Sequence, residues 1–116
     1  MLDKDCIFCK ILRKEIPSEI VFEDEDLLGF KDANPQAPVH ELFIPRIHIE
    51  TINDVDREGA GLLGRLFVAA VERAKAVGLS EEGYRLVLNC GRGAGQTVFH
   101  IHLHLLGGRP LSWPPG

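Results

Sequence analysis

The stretch that decides the fold is Gly91-Arg92-Gly93-Ala94-Gly95-Gln96-Thr97-Val98-Phe99-His100-Ile101-His102-Leu103-His104-Leu105-Leu106. A glycine-rich loop runs directly into an apolar segment that carries a histidine at every second position. Successive side chains of a β-strand point to opposite faces, so His100, His102 and His104 are expected on one face and the apolar residues between them on the other. Ordinary exposed strand faces use Lys, Glu, Thr or Ser. The row of imidazoles therefore predicts a metal site, a nucleophile with its helpers, or both.

Length and composition set the class of protein. The chain has 116 residues, of which 45% are hydrophobic, so we expect one domain, 1–116, with a packed core. The net charge of −4 and the lack of a basic block argue against a nucleic-acid partner, but leave room for a nucleotide. No apolar run approaches the roughly 20 residues of a membrane span. The first residues, Met1 to Asp5, do not resemble a signal peptide, so we expect a cytoplasmic protein whose three cysteines are reduced.

Hydrophobic periodicity predicts the elements around that stretch. Apolar spacing indicates a short helix after Asp5, the expected N-cap, and a long helix from Val55 to about Val77 that ends at Gly78. Alternating or apolar runs predict strands at 19–23, 27–31, 39–45, 84–89 and 100–106. The links are mostly hairpin-like, and an extended tail, 109–116, follows. Together these elements predict an α+β fold, with an antiparallel sheet of about five strands, one short helix and one long helix.

Cys6 and Cys9 form a Cys-x-x-Cys pair whose thiolates are suited to bind one metal ion. A redox role and a chance spacing are the alternatives, and the lack of a βαβ pattern around the pair counts against the redox role. Two thiolates need two more ligands to complete a tetrahedral zinc site, and His48 and His100 are the candidates. Such a site would be closed and structural, and it would tie three distant segments of a small chain together.

The remaining histidines suggest phosphoryl chemistry. The glycine loop offers backbone N–H groups to an anion, and Thr97 adds a hydroxyl beside His102 and His104. A neutral imidazole is a good nucleophile near pH 7, so attack on phosphorus followed by hydrolysis of the phosphohistidine is the expected reaction. Two polar strand ends stay ambiguous at this point. Asp32 could bind sugar hydroxyls or cap a turn, and Asn89 could orient a ligand or hold a turn.

Several motifs resemble one known family. Residues 100–106 are similar to the signature of the histidine triad (HIT) family, in which three histidines alternate with apolar residues. The resemblance to its Hint branch, the nucleoside phosphoramidases, extends to five more segments: 6–11, 32–37, 40–49, 95–97 and 113–116. It covers essentially the whole chain.

The resemblance implies a HIT-like fold in a homodimer whose two sheets join across the long helices and the final strands. It also implies hydrolysis of purine nucleoside phosphoramidates, such as an AMP–amine bond. In such an enzyme His102 would be the nucleophile that becomes nucleotidylated, while His104 and Thr97 would contact the phosphate and Thr97 would also assist the leaving amine. His40 would support the imidazole network. Thr97 stands where this branch more often has serine, which keeps the hydroxyl on a stiffer side chain.

The resemblance also assigns the nucleotide and metal contacts. Asp32, with Ala33 beside it, would bind the ribose, and Trp113 would reach toward the other subunit's site. The phosphate region would be contacted by Asn89, Gly95 and Gln96. The base pocket would be lined by Ile7, Phe8, Ile11, Phe30 and Leu42. A structural zinc would be held by Cys6, Cys9, His48 and His100. Two alternatives stay open, a dinucleoside polyphosphate hydrolase and a zinc-stapled nucleotide-binding module without catalysis.

Overall fold

The computed structural model describes residues 5–116. Within this range, one antiparallel sheet has the strand order β1-β2-β3-β5-β4. Its strands are β1 (Ile20–Glu23), β2 (Leu27–Lys31), β3 (Val39–Pro45), β4 (Tyr84–Val87) and β5 (Leu103–Gly107). The two α-helices are α1 (Ile7–Leu12) and α2 (Ala60–Ala76). The predicted α+β class, with five antiparallel strands, one short helix and one long helix, is confirmed.

The two faces of the sheet are covered by different helices. On one face, Leu103, Leu105 and the residue before β5, Ile101, pack with α2 in the larger hydrophobic cluster, where each is 0–1% exposed. Arg73 of α2 also donates to the buried Glu41 of β3 at 2.8 Å, which fixes the helix on the sheet. The other face packs against α1 through a smaller cluster that includes Phe8, Phe30 and Leu42. The alternation predicted for the last strand therefore directs its apolar side chains into the larger core.

The central strands bring distant histidines together. β3 pairs with β5 so that Leu42 lies opposite His104 and His40 lies opposite Leu106. His40 and His104 are thus diagonal neighbours on adjacent strands, on the face that α1 covers. Residues 64 positions apart in the chain come within hydrogen-bond distance through this register.

Local capping explains where the long helix differs from its prediction. Val55, the predicted start, has extended backbone (φ −99°, ψ 128°), because a capping box of Thr51 and Asp54 closes a short 3-10 turn just before it. Asp56 then caps a second 3-10 turn by accepting from the amides of Glu58 and Gly59. α2 therefore begins only at residue 60 and ends at residue 76. The predicted stop is confirmed, since Gly78 adopts a positive φ of 81° that favours glycine.

Other boundaries also differ from prediction, and β1 begins and β5 ends one residue later than expected. The N-cap of α1 is Cys6 rather than Asp5, because the Cys6 sulfur accepts from the amide of Cys9 at 3.4 Å. β4 ends at residue 87, two residues before the predicted end. β5 begins at residue 103, so His100 and His102 precede the strand. The cause is a change of partner, since Ile101 donates its N–H to the carbonyl of Ile49 instead of to a strand of the sheet.

The ends of the chain complete the description. The predicted tail has neither helix nor strand, and Arg85 Nη2 anchors it by donating to the carbonyl of Ser112 at 2.9 Å. Of the segment examined for a signal peptide, only Asp5 lies within the described residues. None of the helices in 5–116 has the length and apolar character needed to cross a bilayer.

Candidate active site

The four predicted metal ligands converge on one point. Their sulfur and nitrogen atoms all lie within 4.8 Å of one another. His48 Nδ1 is 3.4 Å from the sulfur of Cys9 and 3.2 Å from His100 Nδ1, which itself lies 3.5 Å from the sulfur of Cys6. Ligands around a tetrahedral zinc would be separated by about 3.6 Å (S to N) and about 3.3 Å (N to N). The donor set therefore fits a zinc ion in both chemistry and spacing.

The surroundings of His100 orient it as a metal ligand. Its ring is fully buried, and Nε2 donates to the carbonyl of Pro45 at 2.8 Å. That bond places the ring proton on Nε2 and leaves the Nδ1 lone pair directed at the two thiols, the arrangement usual for metal-bound histidine. Burial lowers the pKa of His100 to about 4, so the ring is neutral at physiological pH. Burial also raises the pKa of Cys6, whose proton a bound metal ion would displace.

His102 has the opposite tautomer. Its Nδ1 lies 2.8 Å from the carbonyl oxygen of His100, and a carbonyl only accepts, so Nδ1 carries the proton. Nε2 is then the basic nitrogen with a free lone pair. Burial lowers the pKa of His102, which keeps the ring neutral. The ring of Phe8 packs edge-on against this imidazole with 5.0 Å between centroids. The geometry supplies a neutral, positioned imidazole whose reactive atom is Nε2.

A series of hydrogen bonds determines which ring nitrogen carries the proton in His40 and in His104. The backbone N–H of Gln36 donates to His40 Nδ1 at 3.0 Å, so the proton of the neutral ring is on Nε2. That Nε2 lies 2.9 Å from His104 Nδ1 and 3.3 Å from a carboxylate oxygen of Asp32. His104 Nδ1 therefore accepts, and its own proton is on Nε2. Burial lowers the pKa of both rings, that of His104 to about 4.

The same tautomers argue against a metal ion among Asp32, His40 and His104, although their ligand atoms lie within 4.8 Å of one another. A metal on His40 Nε2 needs the other ring nitrogen to carry the proton. That nitrogen instead faces the N–H of Gln36. The group is better described as a proton-ordered hydrogen-bond network.

The glycine loop is closed by its own hydrogen bonds. The N–H groups of Ala94 and Gln96 donate to the carbonyl of Gly91, and that of Gly95 donates to the carbonyl of Arg92. These three amides are therefore directed into the loop rather than toward an anion. Gly91 and Gly95 adopt positive φ values of 85° and 94°, which only glycine adopts at low cost.

Gln96 holds this loop in place. Its side chain is buried, accepts from the N–H of Gly91 at 2.7 Å, and donates to the carbonyls of Glu50 and Val98. Its side chain and its N–H are thus both engaged inside the protein. Thr97 follows immediately and is exposed, so its hydroxyl is accessible at the end of the loop.

The other predicted nucleotide-binding residues lie around this network. Asp32 is partly exposed, accepts from the N–H of Asn34 at 2.8 Å and so caps the turn, with the exposed Ala33 next to it. Asn89 Nδ2 lies 4.0 Å from the place a Cβ on Gly95 would occupy, so the two residues are neighbours. Four of the five predicted base-pocket residues form the α1-side cluster: Phe8, Ile11, Phe30 and Leu42.

Ile7, the fifth, is 46% exposed and lies outside that cluster. It lines a pocket of about 310 Å³ together with Thr97, Cys6 and His48. Trp113 is 82% exposed on the chain.

Backbone atoms supply the contacts that the sequence did not reveal. The carbonyls of Pro45 and His100 and the N–H of Gln36 decide where three imidazoles carry their protons. Every residue has a backbone carbonyl and every residue but proline has an N–H, so no residue type marks them. One signal for these contacts is present in the sequence: Gln36 precedes His40 by only four residues, which is consistent with a local turn.

A histidine pair held across two central strands, beside a third imidazole and a Cys2His2 cluster, defines a protein of the histidine triad class. The chain belongs to the HIT domain family, whose pattern matches residues 13–111. Among known relatives, it is 52% identical to the purine nucleoside phosphoramidase of Escherichia coli over 109 residues, which cover 94% of this chain and 92% of that one. A HIT-like protein of Synechocystis is 53% identical over 97% of this chain and 98% of its own length.

Solved structures give the same result. The HIT family hydrolase from Legionella pneumophila superimposes with a TM-score of 0.94 at 56% identity, covering 97% of this chain and all of that one. A histidine triad protein from Clostridium difficile superimposes with a TM-score of 0.93 at 40% identity, covering 97% of both chains.

Proposed function

We propose that this protein hydrolyses the P–N bond of purine nucleoside phosphoramidates, such as AMP joined to an amine. The observation that carries the proposal is the tautomer of His102, whose Nδ1 proton is held by the carbonyl of His100 so that Nε2 is free to attack phosphorus. The close relative from Escherichia coli, at 52% identity over nearly the whole chain, is a purine nucleoside phosphoramidase, which supports the same substrate class here.

The reaction needs two displacements at phosphorus. In the first, His102 Nε2 attacks, a P–N bond to the imidazole forms, and the P–N bond to the amine breaks while the amine nitrogen takes up a proton from solvent, which the attacking water of the second step returns. In the second, water attacks phosphorus and releases the nucleoside monophosphate and free Nε2. His104 Nε2–H donates to a phosphate oxygen and stabilises the charge that develops there. The Thr97 hydroxyl lies at the exposed end of the loop and contacts the phosphate and the leaving amine.

We propose these roles for the binding residues. Asp32 retains lone pairs for ribose hydroxyls after its bond to the Asn34 amide, and Ala33 packs beside the sugar. Asn89 and Gly95 contact the phosphate region, and Gln96 acts by holding the loop closed. The base lies against the α1 side of the sheet, with Ile7, Phe8, Ile11, Phe30 and Leu42 as its pocket.

We propose zinc as the ion of the Cys2His2 cluster. Two thiols and two imidazole nitrogens are the ligands of closed structural zinc sites. When bound, the ion would join α1, the segment after β3 and the segment before β5. It takes no part in the displacement steps, which the other histidines perform.

A homodimer is the proposed assembly of this single domain, 1–116. β4 is an edge strand of the sheet, and α2 exposes Phe67 (40%) and Val68 (57%). Exposed apolar side chains and an open strand edge each favour pairing with a second copy. The tail 109–116 would then bring Trp113 to the partner's site. Sedimentation equilibrium at micromolar concentration is expected to give twice the chain mass, and a mass of one chain would contradict this assembly.

The cytoplasm is the proposed location, because Cys6 and Cys9 face two histidines in a metal-type cluster, which needs reduced thiols. Cell fractionation tests this directly.

Substrate comparison tests the proposed activity. We expect purified protein to hydrolyse an AMP–lysine-type phosphoramidate faster than a diadenosine polyphosphate, because the exposed Thr97 hydroxyl can donate to an amine nitrogen. Mass spectrometry of the quenched reaction is expected to find one nucleotidyl group on the protein. Faster cleavage of the polyphosphate would favour a dinucleoside polyphosphate hydrolase. No turnover and no nucleotidyl protein would leave a nucleotide-binding module as the function.

A further inference from the structure

One backbone amide helps to order the protons of His40 and His104. The N–H of Gln36 donates to His40 Nδ1, which leaves the His40 proton on Nε2, from where it reaches His104 Nδ1. In a neutral pair this order determines that His104 presents Nε2–H rather than a lone pair. If the amide of Gln36 moved away, the His40 ring would be freer to exchange its two tautomers. His104 would then follow, because the two rings share one hydrogen bond.

The amide of Gln36 lies in a loop, so something must hold it. The loop binds itself in part, through the Asn34 amide on Asp32 and the Gln36 side chain on the Asn34 carbonyl. From outside the loop, Arg109 Nε donates to the carbonyl of Gln36 at 2.9 Å. Arg109 Nη1 also donates to the carbonyl of Pro110 at 2.9 Å, so the guanidinium joins the chain after β5 to the loop.

The backbone next to Arg109 contacts the same loop. Gly108 lies so close to Pro38 that a Cβ on it would be 2.8 Å from the Pro38 Cβ. It also has a positive φ of 91°. This close approach places the backbone before Arg109 against the loop that carries Gln36. The link is therefore built by backbone packing as well as by one hydrogen bond.

We propose that Arg109 is a positioning residue that orders the protons of His40 and His104. By holding Gln36, it keeps the backbone N–H on His40 Nδ1, and so keeps His104 as a donor through Nε2. The importance of Arg109 for catalysis rests on the proposed function, in which the Nε2–H of His104 stabilises the phosphate. The ordering itself is a property of the protein without substrate. Asp32 Oδ2, 3.3 Å from His40 Nε2, favours the same tautomer, so loss of Arg109 weakens the order rather than reversing it.

Nitrogen-15 NMR of the histidine rings in the absence of substrate tests this ordering. In the wild type, the Nδ1 and Nε2 shifts of His40 and His104 are expected to be widely separated, as in single tautomers. In Arg109→Ala the separation is expected to narrow for both rings, and Arg109→Lys, which keeps a donor, should restore part of it. Unchanged separations in Arg109→Ala would overturn the proposal.

Arg85→Ala is the matched control. Arg85 also binds tail carbonyls, those of Leu111 and Ser112, but does not touch Gln36. Its removal should loosen the tail and leave the ring shifts as in the wild type. If it narrowed the separation as much as Arg109→Ala does, ordering by the Arg109–Gln36 bond would be wrong.

Kinetics give a second readout. Arg109→Ala is expected to lower kcat on the phosphoramidate about tenfold with little change in KM, because a positioned hydrogen-bond donor acts mainly in the transition state. A rise in KM alone would mean that Arg109 serves binding, which contradicts the proposal. If the wild type does not turn over the substrate, the proposed function has failed, whereas the NMR result still decides the ordering.

Discussion

Replacing His102 with alanine is expected to lower turnover of an AMP–amine substrate by at least about a thousandfold, while AMP still binds. The variant lacks the only nitrogen of this ring that is free to form a bond to phosphorus, since the Nδ1 proton is held by the carbonyl of His100. Direct attack by water, with His104 still donating to the phosphate, would account for the residual rate. Single-turnover kinetics and calorimetric titration with AMP measure the two effects separately.

The control for His102→Ala must separate the loss of the nucleophilic nitrogen from the loss of side-chain packing. The ring is 7% exposed and Phe8 packs against it, so alanine also leaves a cavity. His102→Asn keeps an N–H near the carbonyl of His100 and fills part of that space, yet has no imidazole Nε2. We expect it to be more stable than the alanine variant and equally inactive. Turnover by His102→Asn within tenfold of the wild type would show that another group is the nucleophile.

Periodicity predicted the arrangement of the sheet because it reports which face of a strand is buried. Ile101, Leu103 and Leu105 all lie in the α2-side core as their alternation indicated. The convergence of His48 and His100 with the Cys-x-x-Cys pair followed from ligand chemistry, since a metal site needs four donors wherever they lie in the chain. Patterns of this kind depend on side-chain type, which the sequence states directly.

Other features depend on backbone partners, which residue types do not specify. The last strand begins later than predicted because Ile101 binds the carbonyl of Ile49, a contact between segments about 50 residues apart. The glycine loop was expected to present its amides to an anion, yet the buried side chain of Gln96 closes it and three amides turn inward. Glycine content indicated an irregular backbone here but not the direction in which its N–H groups point.

The short helix α1 connects the two sites. It has six residues, too few to be stable in isolation. It carries Cys9 on the metal cluster and Phe8 against the rings of His100 and His102, with 6.0 and 5.0 Å between centroids. A metal ion that fixes Cys9 would therefore also fix the aromatic ring that packs on the nucleophile. Removal of the metal ion should mainly lower the stability of the protein and, as a second effect, weaken the nucleotide site.

Cys9→Ser is expected to remove the metal and to lower the free energy of unfolding by at least about 4 kcal/mol, the contribution of a ligand present at a thousand times its dissociation constant. Cys9 is fully buried, and its sulfur lies 3.4 Å from His48 Nδ1 and 3.6 Å from His100 Nδ1. A serine hydroxyl is a much weaker zinc ligand, and it leaves two imidazoles and one thiol without a closed site. Elemental analysis of untagged protein should fall from about one zinc per chain to almost none.

Cys90→Ser is the matched control, because it makes the same substitution at a cysteine that lies outside the metal cluster. It should retain its zinc and melt with the wild type, whereas Cys9→Ser should melt about 15 °C lower. A chelator should lower the melting temperature of the wild type and of Cys90→Ser toward that of Cys9→Ser, and leave Cys9→Ser unchanged. Because α1 holds Phe8 on the imidazole of His102, AMP affinity should fall in step with zinc content. Wild-type protein that contains no zinc, or a Cys9→Ser variant that melts with it, would show that the cluster packs as ordinary side chains and holds no structural metal.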